Sequence, residues 1–208
     1  MKPCYLSRAI LLSICLLAGA CSFHYEAEYP DLVDESLIHK PQNLSKNQIS
    51  LQIVESKPMT VTVTSEHDFG PKATHSYEKV FASAVSKQLS ALYDVVPATP
   101  NVPAVTIDLQ GMGSRGSCVT TGMTRCAFSV WFPSNLTVKD SHGKTKTVDI
   151  EGFGRGGSAD DFWGNLESWN YIAAKRAFAN LVNGWVLHIE EYAGFDSGRP
   201  TAENSLAD

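Results

Sequence analysis

The sequence predicts an α+β domain of two layers, in which two helices cover one face of a mostly antiparallel sheet of about five strands. Short segments with alternating apolar and polar residues indicate strands that are buried on one side only. Two longer segments have the apolar spacing of helices. Because the apolar sheet face must be covered and only the helices can cover it, the predicted order is ββαβββα over residues 48–193.

Five segments are predicted to be strands because their apolar residues recur at every second position. In chain order they contain Ile49–Ile53, Met59–Val63, Val105–Leu109, Ala127–Val138, and Val148 with Ile150. The first two are separated by Glu55–Pro58, which is short enough for a hairpin loop. Pro133 has no N–H group to donate, so we expect the fourth strand to be bent, interrupted or at an edge there.

Two segments are predicted to be helices. Residues 77–93 form an amphipathic helix with Ser76 as a possible N-cap, and residues 160–192 form a longer one. The run Ser158–Asp161 fits a capping box at the start of the longer helix. Its two apolar stripes are rotated about the axis, and Gly184 lies between them. The helix is therefore expected to bend there, or to bury different faces along its length.

The N-terminus has the ordered regions of a secretory signal, since Lys2 and Arg8 precede an apolar run that ends in small residues. The ending Leu17-Ala18-Gly19-Ala20-Cys21 resembles a bacterial lipobox. The resemblance implies removal of residues 1–20 and acylation of Cys21, with palmitate among the acyl groups. A signal peptide cut without lipid addition is an alternative. A transmembrane anchor is another, although the apolar run is about twelve residues and a spanning helix needs roughly 20.

Ser22 follows the predicted lipid site. By resemblance to enterobacterial lipoproteins, a residue other than aspartate there implies an outer-membrane location, with the domain in the periplasm. Residues 21–47 have mixed charges and no clear period, so they are expected to be a lipidated N-terminus and tether. Residues 194–208 are expected to be a disordered tail.

The charge balance excludes two classes of surface. The chain has 17 basic and 22 acidic residues, for a net charge of −5. Removing residues 1–20 takes away Lys2 and Arg8, so the basic count falls to 15 and the net charge to −7. Nucleic-acid surfaces and polybasic membrane segments both need clustered Lys and Arg. We therefore predict no nucleic-acid partner, and we expect the lipid alone to hold the protein at the membrane.

A disulfide is predicted between Cys118 and Cys126. Cys4 and Cys15 leave with the signal and Cys21 carries the lipid, so these two remain in a compartment where disulfides persist. If their flanks are paired strands, the two cysteines face each other at a Cα separation that a disulfide tolerates. Closing this short loop is worth roughly 2–3 kcal/mol. Two free thiols are the alternative, and a redox pair is disfavoured because the spacing is not Cys-x-x-Cys.

The spacing Gly-x-Gly-x-x-Gly occurs twice, first at Gly111, Gly113 and Gly116 and then at Gly152, Gly154 and Gly157. The second set lies between a strand and a helix, as in a dinucleotide-binding turn. That turn belongs to a βαβ unit, and no strand is predicted after the last helix, so we interpret both sets as loop glycines at strand ends. Another hypothesis has the two loops side by side, with Arg115 and Arg155 binding an anion such as a lipid phosphate.

The sequence predicts no catalytic residue, metal ligand or cofactor beyond the covalent lipid on Cys21. His67, Asp68 and His75 form the one acid–base cluster, and their spacing is not that of a metal site. Trp131 is a candidate for a partner surface, because it interrupts the polar positions of its strand. If it points away from the core, it marks an exposed apolar patch.

The lipobox and the order of elements together resemble small Gram-negative outer-membrane lipoproteins of the YajG-like kind. The resemblance covers residues 48–190, as a strand, a helix, a β-meander with a polar turn and a terminal helix. It implies a lipid anchor on Cys21 and no further functional residue.

The leading functional hypothesis is a non-enzymatic accessory module of the cell envelope that binds a protein partner in the periplasm. A lipid-handling or transport-accessory lipoprotein is the alternative, with Trp131 and Phe132 near a groove. A hydrolase of envelope polymers is a third hypothesis, for which only the cluster at residues 67–75 is available.

Overall fold

The computed structural model describes residues 32–39, 47–63, 73–121, 123–157 and 166–195. Their elements are β1 Gln48–Lys57, β2 Thr60–Val63, β3 Ala73–Ser76, α1 Glu78–Leu92, β4 Asp94–Val95, β5 Ala104–Gln110, β6 Gly113–Thr121, β7 Met123–Lys139, β8 Thr145–Gly157 and α2 Leu166–Ala193. The predicted α+β class is confirmed, since two helices accompany a mostly antiparallel sheet.

The long strand β7 organises the sheet. One of its edges pairs with β8, and the other pairs with β5 and β6, which follow each other along it. Strand β1 lies parallel to β5, and the short β4 lies parallel to β1. The sheet is therefore a long antiparallel meander extended at one end by two parallel strands.

The hairpin predicted between the first two strands is wrong. Strand β2 pairs with β3, whereas β1 pairs with β4 and β5. The chain leaves β1 and returns in parallel at β5 after passing through α1, which is the kind of crossover that parallel strands require. The two-residue period locates a half-buried strand but does not choose its neighbour.

Pro133 lies where the ladder beside β7 is interrupted. Leu109 pairs with Ser134 and Gly113 pairs with Trp131. Between these pairs, the three residues 110–112 at the junction of β5 and β6 lie opposite the two residues 132–133 of β7, which is a β-bulge. Gly111 lies in the bulge with a φ of 91°, a value that glycine adopts without a steric penalty. Strand β7 itself is continuous through Pro133 and is a central strand there, so the predicted interruption or edge position of this strand is wrong. The break lies instead in the neighbouring strand, between β5 and β6.

Both helices pack on the face of β7 that carries Val130, Phe132 and Leu136, all of which are buried. The ring of Phe81 in α1 lies 4.8 Å from that of Phe132 and 5.4 Å from that of Phe178 in α2, measured between centroids. A single aromatic cluster thus joins both helices to the sheet.

Helix α2 buries a stripe that winds around its axis. Buried residues recur in adjacent pairs every four positions, from Trp169 and Asn170 to Ile189 and Glu190. Four residues advance the helix by about 400°, so the stripe turns by about 40° at each step and by about 200° over the five steps. The prediction that this helix buries different faces along its length is confirmed.

The close approach of α2 to β8 depends on glycine. A Cβ atom added to Gly152, Gly154 or Gly156 would lie 2.0–2.3 Å from a backbone oxygen of the helix. Arg176 Nη1 and Asn180 Nδ2 donate to the carbonyl oxygens of Arg155 and Phe153 at 2.6 and 2.7 Å. The helix therefore packs directly on the backbone of β8. Its side chains also donate hydrogen bonds to carbonyl groups on the edge of β8 that faces away from β7.

Residues 32–39, here called the N-terminal strap, pack on α2. Leu32 and Ile38 are buried, and the side chain of Asn183 accepts from His39 N and donates to Leu37 O. The Ser36 hydroxyl donates to Asp34 and lowers the pKa of that carboxyl group. These residues were predicted to be part of the tether. They belong instead to the folded domain, because the side chains of Leu32 and Ile38 are buried in its core.

Replacing Asn183 by alanine is expected to loosen the strap, because both of its backbone contacts with the side chain are lost. The expected cost is about 1–2 kcal/mol for two partly exposed hydrogen bonds. Hydrogen exchange should show faster exchange at the His39 amide. Asn183→Asp keeps the acceptor and should lose only part of this protection. Unchanged exchange in Asn183→Ala would mean that the buried side chains alone hold the strap.

Candidate functional site

The outer face of the sheet is the side that points away from both helices. Along β7 the even-numbered residues from Phe128 to Val138 are buried, and the odd-numbered ones from Ala127 to Thr137 are partly exposed. Both helices pack on the even-numbered side, so neither covers the outer face. This face is where side chains of the central strands can reach a ligand or partner.

Two neighbouring rows of the outer face contain Arg115, Trp131 and Arg155, which the sequence singled out as surface residues. Phe132, which was expected to lie near a groove with Trp131, is instead fully buried on the helix side. In one row Gly113, Trp131 and Phe153 are aligned across β6, β7 and β8. In the next row Arg115, Ser129 and Arg155 are aligned across the same strands. The set Arg115, Ser129, Trp131, Phe153 and Arg155 is here called the outer-face patch.

Trp131 lies flat across the neighbouring strand. A Cβ atom added to Gly113 would lie 2.1 Å from Trp131 Cε2, so the indole occupies the space that any larger residue at 113 would need. On the other side, Phe153 is 45% exposed. The two aromatic side chains together form an apolar strip across the width of three strands.

Phe153 is the residue of the patch that sequence reasoning missed. It stands between Gly152 and Gly154, which drew attention as a possible dinucleotide motif. The available signal was parity: glycines at 152, 154 and 156 mark the helix side of β8, so 153 and 155 must face the other way.

The arginines give one end of the outer face a positive charge. Arg115 and Arg155 are both exposed and two strands apart, so their Cα atoms are roughly 10 Å apart. Side chains of this length can converge on one anion above Ser129. The other end of the same face carries Asp108 and Asp149, which flank Asn135. The outer face is therefore basic and aromatic at one end and acidic at the other.

Gly111 lies between β5 and β6, but the other glycines of the two sets lie within strands, which corrects their interpretation as loop glycines. Gly113 makes room for Trp131, and Gly116 makes room for Phe128, whose Cε1 would lie 2.5 Å from an added Cβ atom. Gly152 and Gly154 admit the backbone of α2. The arginines that follow them therefore lie on strands, not on the loops that the anion hypothesis assumed.

The backbone of the β6–β7 hairpin places Cys118 directly opposite Cys126. Their side chains are outside the described part of the structure, so the disulfide stays a prediction. The signal segment, Cys21, Ser22, the predicted capping box, and His67 with Asp68 also lie outside the described residues. The backbone of His75 lies in β3, opposite Val61.

Within the described ranges, no group of three or more His, Cys, Asp or Glu side chains is placed to hold a metal ion. Neither α1 nor α2, the helices of the described part, combines the length and apolar character needed to span a membrane.

No protein-family model and no curated protein sequence matches this chain. Solved structures do match it. The rare lipoprotein B from Shewanella oneidensis is 12% identical, with a TM-score of 0.38 over 70% of this chain and 96% of that one. A minor lipoprotein from Acinetobacter baumannii is 8% identical, with a TM-score of 0.39 over 72% and 95%. Protein XCC0632 from Xanthomonas campestris, of family model DUF330, is 13% identical, with a TM-score of 0.44 over 82% and 98%.

Two of these three structures are named as lipoproteins. With TM-scores below 0.5 and identities of at most 13%, the likenesses transfer neither a residue role nor an activity to this chain.

Proposed function

We propose that this chain is a lipoprotein of the Gram-negative cell envelope, anchored in the outer membrane by a lipid on Cys21, with a YajG-like layout. Its domain lies in the periplasm and acts as a non-enzymatic binding or accessory module. The N-terminal sequence supports the anchor, because basic, apolar and small-residue regions precede a cysteine in order. The proposal includes no catalytic residue and no cofactor beyond the covalent lipid.

The outer-face patch is the observation that carries the binding role. The solvent side of a one-sided sheet usually bears polar residues, yet here a half-buried tryptophan and an exposed phenylalanine lie next to each other. Tryptophan and arginine are also the residue types concentrated in the energetic centres of interfaces. An aromatic pair beside two arginines therefore favours a surface built to bind.

A lipid-handling or transport-accessory role is the second candidate. It is favoured by the alignment of Arg115 with Arg155 beside the aromatic pair, because this arrangement offers positive charge and apolar surface to one amphiphilic ligand.

The proposed role can be tested by in vivo crosslinking followed by purification of the full-length chain from detergent-solubilised membranes. We expect a stoichiometric partner with the natural chain and its loss with Cys21→Ala, because the unanchored chain leaves the membrane. Mass spectrometry of the N-terminal peptide should show an acylated Cys21. Phe153→Ser should weaken capture if the outer-face patch makes the contact.

Several results would contradict the proposed role. An unmodified N-terminus and identical fractionation of the Cys21→Ala chain would reject the lipid anchor. The absence of any co-purifying protein or lipid, together with an unaltered envelope in a deletion strain, would reject the binding role.

A further inference from the structure

We propose that the outer-face patch is a membrane-surface site. In this site Arg115 and Arg155 bind the phosphate groups of anionic lipid headgroups, and Trp131 and Phe153 enter the membrane–water interface. The inference deepens the proposed function by naming the ligand of the same face, and it rests on that function only for the anchor that brings the domain to a bilayer.

The charge of the patch fits phosphate, although the chain as a whole is acidic. The net charge of −5 argues against a polybasic segment, but it is a sum over the whole chain. It does not reveal that the two ends of the outer face differ in the sign of their charge. At the basic end the strand register brings together two arginines that are 40 residues apart in the sequence. A guanidinium group offers several N–H donors in a plane, a geometry that suits phosphate oxygens.

The aromatic pair decides in favour of a membrane as the source of the phosphate. A soluble anion would need only the arginines and would gain nothing from an exposed phenylalanine beside them. Tryptophan is enriched at membrane interfaces because its ring is apolar and its N–H group is polar. Trp131 and Phe153 lie in the row next to the arginines and point to the same side, so headgroup and interface can be contacted together.

The anchor allows this contact. Cys21 and Leu32 are separated by 11 residues, which reach at most about 36–40 Å when fully extended. Leu32 is buried in the strap, where the described part of the domain begins. A domain of about 150 residues has a radius of gyration of roughly 15 Å, so a segment of this reach lets the anchor and the outer face contact the same bilayer.

The test uses the full chain reconstituted into vesicles whose acyl chains are brominated, since bromine quenches tryptophan fluorescence on contact. We expect quenching in phosphatidylglycerol vesicles and little in phosphatidylcholine vesicles. Trp131→Phe, made in a Trp163→Phe background, should remove the quenched component and leave the emission of the buried Trp169 and Trp185. Arg115→Glu with Arg155→Glu should reduce quenching by more than about tenfold, because each basic residue near an anionic surface changes binding by roughly fivefold.

The matched control is Lys139→Glu with Lys144→Glu. This pair changes the net charge by the same amount, but it lies at the opposite end of the meander, in and beside the β7–β8 turn. The control should quench like the natural chain. Equal quenching in both charge-reversed chains, or none in the natural chain, would overturn the proposal.

Two further outcomes would also overturn it. A spectral shift of Trp131 caused by glycerol phosphate without vesicles would make the ligand a soluble phosphate. Loss of a crosslinked protein in Phe153→Ser, with no quenching in the natural chain, would make it a protein. The mass of the Cys21 peptide shows whether the chain is acylated, so a failure of the anchor is distinguished from a failure of the membrane-surface site. If the chain is not acylated, its binding to vesicles can still be measured.

Discussion

Replacement of Gly154 by alanine is expected to destabilise the domain by about 3 kcal/mol, at the upper end of the usual cost of overpacking. The added Cβ atom would lie 2.0 Å from Ala173 O and 2.4 Å from Ala177 N. Both are backbone atoms of α2, so no rotation of a side chain can relieve the overlap. The helix would have to move away from β8 and weaken the hydrogen bonds that Arg176 and Asn180 make with that strand.

Urea and thermal unfolding measure this effect, and in a domain of this size the expected loss corresponds to a fall in Tm of roughly 6–12 °C. Gly113→Ala is the matched control. The three atoms nearest to its added Cβ atom all belong to the indole of Trp131, a side chain that can turn outward, so we expect a smaller loss of about 1 kcal/mol. If Gly154→Ala is no less stable than Gly113→Ala, α2 does not seat on the backbone of β8.

The strands could be predicted because each is buried on one side, which fixes the alternation of its residues. Their partners could not be predicted in the same way. The chain between Lys57 and Thr60 is short enough for a hairpin, yet β1 pairs with β5, which is about 50 residues later. Helix α1 lies between β1 and β5 in the chain and packs against the sheet, and the period of a single segment carries no information about such a long-range contact.

The residues of the candidate site were predicted in part. Trp131 was identified because an aromatic residue interrupted a polar parity, and Arg115 and Arg155 because they followed glycines. Their proximity could not be predicted, since it depends on the register of β6 and β8 against β7. The alternation of β8 indicated which way Phe153 faces, but its position beside Trp131 depends on the same register and could not be predicted.

The same dependence on distant contacts explains the strap. Leu32 and Ile38 lie in a segment without a period, so the sequence alone indicated a tether. Both belong to the buried core of the domain, and the Asn183 side chain of α2 bonds the backbone on either side of Ile38. A local pattern cannot report a surface that is created by a helix some 140 residues away.

Replacement of Phe81 by alanine is expected to cost about 3–5 kcal/mol, since its buried ring is the contact that joins α1 to both β7 and α2. Because α1 also connects β1 to β5, weakening its seat should loosen the parallel end of the sheet more than the meander. Urea unfolding measures the loss, and hydrogen exchange should show greater opening at β1 than at β8.

The size of the Phe81 effect can be separated from a general sensitivity of the helices to truncation. Leu187→Ala removes an apolar side chain of α2 that is 42% exposed, so we expect a loss below about 1 kcal/mol. Phe81→Leu keeps most of the buried volume and should fall between the two. If the loss in Phe81→Ala does not exceed that in Leu187→Ala, the aromatic cluster does not hold the two layers together.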